Sequence, residues 1–317
     1  MVNVKIVSRK VREMKRIFAF FLILILLLTC CACSQNTLNS ADKLQIAATL
    51  FPQYDFVREI AGDKADVLLL APAGADGHTY EPTPAEIIKI SESDMFVYTG
   101  QHMEAWAEKI IKSVDAKNLK VVDVSENIDL KVEDSLHTHH ETNFDPHIWT
   151  DPNNAKIMVN NITKALCDID SNNTDYYTTR AENYKKQLED LDESFADAVA
   201  LAKNKTMIFG DKFAFLYFTD RYGLKHKAAF DFCSSEAEPS ASVIAQIISE
   251  VKNNNIPVIY YSETSNKKVP ESIAIETGAE ILLFHSCHTV SKEEIDNGTS
   301  YLTLMHQNLE NLKKGLN

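Results

Sequence analysis

Short apolar segments alternate with amphipathic segments in both halves of the chain, and this pattern predicts strands followed by helices. In the first half, the predicted strands cover residues 44–50, 66–71, 95–98 and 120–124, and the predicted helices cover 53–61, 84–91 and 103–114. In the second half, the predicted strands cover 206–209, 225–230, 257–261 and 280–284, and the predicted helices cover 213–222, 241–252, 272–277 and 301–314. This alternation is typical of the α/β fold class, in which mostly parallel sheets are flanked by helices on both faces.

The stretch between the two halves has helical spacing and no strand pattern. Residues 151–170 predict one helix and residues 174–204 a longer one, and no glycine or proline lies between Pro152 and Gly210. We therefore expect two α/β lobes joined by one long rigid helix, although the same pattern allows that helix to belong to one lobe. The expected boundaries are 44–172 for the N-terminal lobe, 173–204 for the linking helix and 205–317 for the C-terminal lobe.

The first residues have the pattern of a lipoprotein export signal. Basic residues precede an apolar run at 17–28, which is well short of the about 20 residues that span a membrane. Cys33 follows the small residue Ala32, so we expect lipidation at Cys33 after cleavage. Residues 1–33 are then a signal peptide and 34–43 a tether, which places the protein outside the cytoplasmic membrane, at the cell surface or in the periplasm. The alternatives are an uncleaved anchor helix, lipidation at Cys30 or Cys31, and translation from Met14.

The net charge limits the possible binding partners, and the cysteine count limits the possible disulfides. The formal net charge is −13 and the isoelectric point is about 5.2, which disfavours a nucleic-acid partner. Beyond the leader the cysteines are Cys167, Cys233 and Cys287, and an odd count allows at most one internal disulfide. Cys233 and Cys287 each follow a predicted strand, so they either pair with each other or ligate a metal.

Several histidines follow predicted strands. His78 lies in a loop rich in glycine and proline, His147 directly precedes a predicted helix, and His285 and His288 follow the last predicted strand. Loops at the carboxyl ends of parallel strands are where α/β proteins bind ligands. Neutral imidazoles suit Zn²⁺, whereas carboxylate-rich sites suit Mn²⁺. These histidines therefore predict a metal site, with Zn²⁺ favoured.

A separate histidine cluster lies in a polar segment, at His137, His139 and His140. Short histidine-rich tracts bind metal weakly, so this segment is either an accessory metal loop or a solvated loop with incidental histidines. The chain contains no nucleophile elbow, metalloprotease helix, phosphate-binding loop or dinucleotide fingerprint. This absence favours a binding protein over an enzyme.

Several segments, taken together, carry a family resemblance. They are Gly77-His-Thr-Tyr-Glu-Pro-Thr-Pro84, Gly100 with Glu104-Ala-Trp106, Asp145-Pro-His-Ile-Trp-Thr-Asp-Pro152, Tyr222-Gly-Leu224 and Tyr301-Leu-Thr-Leu-Met305. In this order they resemble the zinc- and manganese-specific solute-binding proteins of ABC importers. The resemblance implies two lobes joined by a rigid helix, with the metal held in the cleft between them. It also implies a monomer, tethered to the membrane by its lipid anchor, that delivers Zn²⁺ or Mn²⁺ to an importer permease.

The resemblance also implies a ligand set. His78 and His147 occupy the family's first two ligand positions. The third position, a histidine in the zinc-binding members, holds Lys212 here, next to Asp211. The fourth position falls on His285, which we expect to compensate for the missing histidine. The expected metal ligands are therefore His78, His147, His285, His288 and, as a secondary candidate, Asp211.

Three other functions stay open at this point. Ligation by Asp211 favours a manganese receptor of the same family. An exported zinc hydrolase with Glu81 as general base and a surface adhesin are the remaining alternatives. Because metal binding requires neutral imidazoles, we expect the metal affinity to fall as the pH drops through about 6.5.

Overall fold

A computed structural model of the chain describes residues 43–113, 119–132, 144–230 and 239–317, and it contains two parallel sheets. The first sheet has the strand order β2-β1-β3-β4. Its strands are β1 (Leu44–Ala48), β2 (Ala65–Leu69), β3 (Met95–Tyr98) and β4 (Lys120–Asp123). The helices that accompany it are α1 (Phe51–Ala61), α2 (Pro84–Glu92) and α3 (Ala107–Ser113).

The second sheet repeats the topology of the first, with the order β6-β5-β7-β8 and all pairs parallel. Its strands are β5 (Thr206–Lys212), β6 (Lys225–Phe230), β7 (Val258–Tyr261) and β8 (Glu280–Leu283). In each sheet the second strand lies on one side of the first strand, and the third and fourth strands lie on the other side. Ligand sites in open α/β sheets form where the strand order switches in this way.

Two helices, α4 (Pro152–Ile169) and α5 (Thr174–Ala200), join the two sheets. The helices that follow are α6 (Leu216–Tyr222), α7 (Ala241–Asn254), α8 (Lys268–Thr277), α9 (Lys292–Asp296) and α10 (Tyr301–Gly315). Helix α5 contacts α1 and α4, which accompany the first sheet or lead from it, and also α6 and α10 of the second half.

The hydrophobic core continues from one sheet to the other. A single cluster of buried side chains includes Ile46 of the first sheet, Leu188 of α5 and Phe209 of the second sheet. Two smaller clusters cover the outer faces of the two sheets. Residues Leu44–Asn317 accordingly form one compact unit. The long helix is therefore part of the packing of both sheets.

Local sequence signals explain where several helices begin and end. Thr83 and Glu86 form a reciprocal capping box at the start of α2. The Asp151 carboxylate accepts the Asn153 amide at the start of α4, and Pro152 occupies the first turn. Helix α8 ends at Thr277, and the next residue, Gly278, has a left-handed φ of 75° that favours glycine.

A buried carboxyl group joins the ends of β1 and β3. The Glu104 side chain is fully buried and accepts hydrogen bonds from the Thr49 hydroxyl and from the Thr99 amide and hydroxyl. Burial raises the pKa of Glu104 to about 8, although these hydrogen bonds oppose the shift. The network fixes the backbone at the switch point of the first sheet, just below the loops that follow its strands.

The predicted α/β class and the long helix are confirmed, with differences at several boundaries. Helix α3 begins at Ala107, not at 103, because the amides of Met103 and Glu104 close turns on the Gly100 carbonyl. The long helix ends at Ala200, and the amides of residues 203 and 204 donate to the Leu316 carbonyl instead. The short helix α9 was not predicted. Within the described residues, no helix is both long and apolar enough to cross a membrane.

Candidate metal centre

Three histidines meet where the loops that follow the strands converge. His78 follows β2, His147 lies between β4 and α4, and His288 follows β8. Each reaches the site from the carboxyl end of a parallel strand, as expected for ligands in an α/β fold. The first two belong to the first half of the chain and the third to the second half, so both halves contribute histidines to the group.

The ring nitrogens of the three histidines are close enough to share one metal ion. One nitrogen from each lies within 4.8 Å of the other two. The Nε2 atoms of His78 and His147 are 3.2 Å apart. His147 and His288 are only 3% and 7% exposed, and the Nε2 atom of His288 has no hydrogen-bond partner among the described residues. A buried, unsatisfied ring nitrogen aimed into such a cluster is what a metal ligand requires.

The ring of His147 is oriented by Asp145. The Asp145 Oδ1 atom accepts the His147 amide at 2.8 Å and lies 3.0 Å from its Nδ1 atom. A neutral ring that donates from Nδ1 presents an unprotonated Nε2 atom, the nitrogen that faces His78. The backbone carbonyl of Asp145 in turn accepts the Tyr217 hydroxyl at 2.6 Å. Because Tyr217 belongs to α6, the second half of the chain supports this histidine of the first half.

The loop that carries His288 is held by Glu263, which follows β7. The mostly buried Glu263 carboxylate accepts the amide of Ser286 at 2.9 Å and its hydroxyl at 2.6 Å. The Ser286 hydroxyl accepts the His288 amide at 3.2 Å. Burial alone raises the pKa of Glu263, but the neighbouring His285 and the hydrogen bonds from Ser286 outweigh it and lower the pKa. Glu263 therefore acts as an ionised anchor for the loop.

Trp149 connects the His147 and His288 segments. Its Nε1 atom donates to the Ser286 carbonyl at 2.7 Å, and its own carbonyl accepts the Tyr301 hydroxyl at 2.6 Å. The fully buried indole packs against the rings of both His147 and His288. These contacts fix the distance between two of the three histidines.

The loop that carries His78 packs closely on the His288 segment. The Gly74 amide donates to the carbonyl of Val290 and to the hydroxyl of Thr289, each at 3.0 Å. A side chain at Gly77 would collide with the Nε2 atom of His288 and with Leu50, so only glycine fits there. This close approach brings His78 beside His288, with ring centroids 5.1 Å apart.

The electrostatic environment keeps two of the rings neutral. Burial, with the nearby His147 and Lys212, lowers the pKa of His78 to about 4, and Asp76 opposes the shift. Burial, with His147 and His78, lowers the pKa of His288 to about 3. Neutral imidazoles at physiological pH have the lone pairs that a metal needs.

The structure places the other predicted ligands outside this group. His285 is buried, its Nδ1 atom accepts the Cys287 amide, and its ring lies between the carboxylates of Glu263 (3.7 Å) and Glu294 (3.8 Å). The Asp211 carboxylate accepts the amide and hydroxyl of Ser262. Among the described residues, only His78, His147 and His288 form a potential metal-binding group.

Several predicted features fall beyond the described part of the chain. They are the accessory histidines His137, His139 and His140, the leader with Cys33, and Cys233. Cys287, with which the sequence allowed Cys233 to pair, is a buried free thiol.

Two residues that support the site were not predicted as functional. Asp145 lies two positions before His147, and this spacing lets one carboxylate bind both the amide and the ring of the histidine. Glu263 has no such local signal. It follows β7, whereas Ser286 follows β8, so only the pairing of these two parallel strands brings them together.

The comparisons with known proteins agree with this geometry. Residues 46–315 match the family model described as "Zinc-uptake complex component A periplasmic" (ZnuA). The chain is 35% identical over 287 residues to the high-affinity zinc uptake system protein ZnuA of Bacillus subtilis, covering 88% of this chain and 89% of that protein. It is 32% identical to the zinc-binding lipoprotein AdcA of Streptococcus pneumoniae, but spans only 58% of that protein's length.

A solved structure is similar in fold as well. The Zn(II)-bound ZnuA-like domain of Streptococcus pneumoniae AdcA superimposes with a TM-score of 0.75 at 31% identity. The similarity covers 86% of this chain and 99% of that domain. It therefore extends over both sheets and the helices that join them.

Proposed function

The chain belongs to the ZnuA family of zinc-uptake components, and on that premise we propose that it is an extracytoplasmic receptor that captures Zn²⁺ for an ABC importer. The observation that carries the proposal is the group of three histidines, whose ring nitrogens converge within 4.8 Å from both halves of the chain. Capture by this group followed by handover to the permease requires no chemical conversion of the cargo.

The donor set favours zinc over manganese. Three neutral imidazoles are typical zinc ligands, whereas manganese prefers carboxylate oxygens. Asp211, the residue that would have favoured manganese, instead binds Ser262. The relatives named above are zinc proteins, which agrees with this preference.

The ligand set we propose is His78, His147 and His288. His285, which the sequence had favoured, has a structural role in this proposal, because its ring accepts the Cys287 amide and both its backbone groups bind Asn308. The same structural role applies to Asp211. We keep the accessory role of His137, His139 and His140, which would raise the local metal concentration without forming the tight site.

The location and partner form part of the proposal as well. The leader pattern and Cys33 support export followed by lipid anchoring. The family description names a component of an uptake complex, which supports a permease as the partner of a monomeric receptor. No feature of the described site favours an enzyme, and the relatives are a zinc uptake system protein and a zinc-binding lipoprotein.

Metal selectivity tests the function directly. Purified protein is stripped with a chelator, supplied with equimolar Zn²⁺ and Mn²⁺ together, and weighed by native mass spectrometry. We expect one tightly held zinc per chain that excess manganese does not displace. Preferential loading of manganese, or the absence of stoichiometric metal, would contradict the proposal.

The same measurement tests the accessory histidines. Additional zinc ions that are lost with His137→Ala, His139→Ala and His140→Ala would support the accessory role.

A further inference from the structure

Helix α10 begins with a hydrogen bond to the first half of the chain. The Asp55 carboxylate, on α1, accepts the amide of Tyr301 at 2.8 Å, across 246 positions of sequence. The first amides of a helix have no partner inside the helix, so an acceptor from outside satisfies them and complements the helix dipole. The ring of Tyr301 also packs edge-on against Phe56, the neighbour of Asp55, with ring centroids 5.0 Å apart. Two contacts with α1 therefore fix the start of α10.

From this position, α10 reaches two of the segments that carry histidines of the proposed site. At its start, the Tyr301 hydroxyl donates to the Trp149 carbonyl at 2.6 Å. In its middle, the Asn308 side chain accepts the amide of His285 and donates to the carbonyl of the same residue, each at 2.7 Å. The first contact falls on the segment between β4 and α4, and the second on the segment after β8. The placement of α10 therefore affects the distance between these two segments.

A carboxyl group at the position of Asp55 is costly for the folded chain. Asp55 is only 1% exposed, and the Arg58 guanidinium lies 3.8 Å from its Oδ1 atom. Burial raises the pKa of Asp55 to about 7, with a further contribution from Glu59, although the Tyr301 amide and Arg58 oppose the shift. An apolar side chain would avoid this loss of hydration, but it would leave the Tyr301 amide without its acceptor. Asp55 is therefore better explained by the direction that its hydrogen bond gives to α10 than by a gain in stability.

We propose that Asp55 is a positioning residue of the metal site and acts through Tyr301 on Trp149. The Trp149 indole packs on the rings of both His147 and His288, so its placement sets the spacing of these two histidines. The inference rests on the proposed function, since it concerns the zinc affinity of the same histidines. Without the Asp55 acceptor, the start of α10 is free to shift and the Tyr301 hydroxyl no longer holds the Trp149 carbonyl in place. The histidines are then less well preorganised, and zinc binds more weakly.

Fluorescence of Trp149 tests the contact between Asp55 and this segment without any metal. The chain has two tryptophans, and Trp106→Phe leaves Trp149 as the only one. In that background, Asp55→Ala should shift the emission maximum of the metal-free protein in the same direction as Tyr301→Phe does. Asp55→Asn keeps an oxygen that can accept the Tyr301 amide, so it should restore most of the original emission. Asp55→Leu also lacks an acceptor but fills the space, and it takes the place of the alanine variant if that variant does not fold.

A double-mutant cycle on zinc affinity tests whether Asp55 acts through Tyr301. Competition titration should show about three- to tenfold weaker binding for Asp55→Ala and for Tyr301→Phe, less than the usual effect of a group that touches a metal-bound histidine. Because the two residues belong to one series of contacts, the double variant should bind no more weakly than the weaker single variant. For two independent residues, the losses would multiply. Asp55→Asn should recover most of the affinity that Asp55→Ala loses.

Asp94→Ala is the matched control. The Asp94 carboxylate also accepts a distant amide, that of Gln45 at 2.7 Å, but it lies at the opposite, amino end of the first sheet. Unfolding in urea is measured beside zinc binding for both alanine variants. Asp94→Ala should keep the zinc affinity and the emission of Trp149 whatever stability it loses, which separates positioning from a general loss of stability.

Three results would overturn the inference. One is an unchanged Trp149 emission or an unchanged zinc affinity in Asp55→Ala. Another is a double variant in which the losses of the two single variants multiply. The third is an equal loss of affinity in Asp55→Ala and Asp94→Ala. Failure of the proposed function is distinct, because no stoichiometric zinc would then bind to the wild type, while the emission of the metal-free protein would still report the contact.

Discussion

At the scale of single residues, the site depends on side chains that orient the ligands. Asp145 binds both the amide and the Nδ1 atom of His147, and so fixes the ring and its tautomer. The Asp145 side chain is completely buried, so water cannot replace it when it is removed. In the proposed site, the zinc affinity therefore depends on a residue outside the group of three histidines.

Asp145→Asn should weaken zinc binding by about 10- to 100-fold, the usual effect of removing a carboxylate that supports a metal-bound histidine. The amide of asparagine either loses the hydrogen bond to the ring or selects the wrong tautomer. Competition titration with a zinc-binding dye measures the change. Asp190→Asn, on the exposed face of α5, serves as the control and should bind zinc as the wild type does. Equal affinities for the two variants would contradict the role of Asp145.

The lowered pKa values change the expected dependence on pH. From the ordinary histidine pKa, the sequence predicted loss of metal near pH 6.5. In the structure, His78 has a pKa of about 4 and His288 of about 3, so protons compete with the metal for these two rings only in more acidic solution. The same shifts destabilise the metal-free protein below pH 6.5, because the unfolded chain then takes up protons that the folded chain does not.

The zinc affinity should therefore fall by less than about 100-fold between pH 7 and pH 5. Two histidines with ordinary pKa values would alone cost roughly 1000-fold over this range, about 30-fold for each ring. Zinc titration in buffers of matched ionic strength measures the loss. A fall of 1000-fold or more would show that His78 and His288 titrate as ordinary histidines, contrary to their burial.

At the scale of elements, most strands and helices follow from periodicity, whereas the ligand loops do not. Alternation of apolar segments predicted every strand to within a few residues, because buried strands and amphipathic helices are locally encoded. Helix α9 was missed because it is too short to show a period, although Ser291 and Glu294 form a capping box at its start.

The histidines of the candidate site could be predicted only in part, because the local sequence does not encode the paths of the loops that carry them. Sequence context singled out His78 and His147, and His288 was considered together with His285. The choice between His285 and His288 depends on the path of the loop after β8. That path is set by Glu263, Ser286 and Trp149, which come from distant parts of the chain. Local sequence carries no information about these contacts.

The contact between the Trp149 indole and the Ser286 carbonyl offers an element-scale test. Trp149→Phe removes a buried donor and leaves that carbonyl unsatisfied, so unfolding in urea should show a loss of about 1–3 kcal/mol beyond that caused by the smaller ring. Trp106→Phe is the matched control, because the Trp106 Nε1 atom is buried without a hydrogen-bond partner among the described residues. Equal losses for the two variants would mean that the hydrogen bond between the loops contributes nothing.

At the scale of the whole molecule, the two sheets share one hydrophobic core through α5. Side chains of α5 belong to the same buried cluster as Ile46 of the first sheet and Phe284 after the second. Both halves contribute histidines to the potential metal-binding group, so in the proposed site a bound metal would add a further connection between them. Neither half is therefore expected to be stable in the absence of the other.

Calorimetry should accordingly show one unfolding transition for the metal-free protein, not two. Because zinc binds only the folded chain, an excess of about 1,000 times Kd should add about 4 kcal/mol to the free energy of unfolding and raise the single Tm. Separate transitions for the two halves, only one of them sensitive to zinc, would contradict a shared core.

The most direct test of the proposed ligand set compares the two histidines that flank Cys287. His288→Asn and His285→Asn are titrated with zinc in competition with a chelator of known affinity, beside the wild type. The substitutions are chemically identical, and asparagine keeps an oxygen near the Nδ1 position that His285 uses to bind the Cys287 amide. We predict that His288→Asn weakens binding on the order of 100-fold, whereas His285→Asn retains nearly full affinity. The opposite pattern, or equal losses, would contradict a site built from His78, His147 and His288.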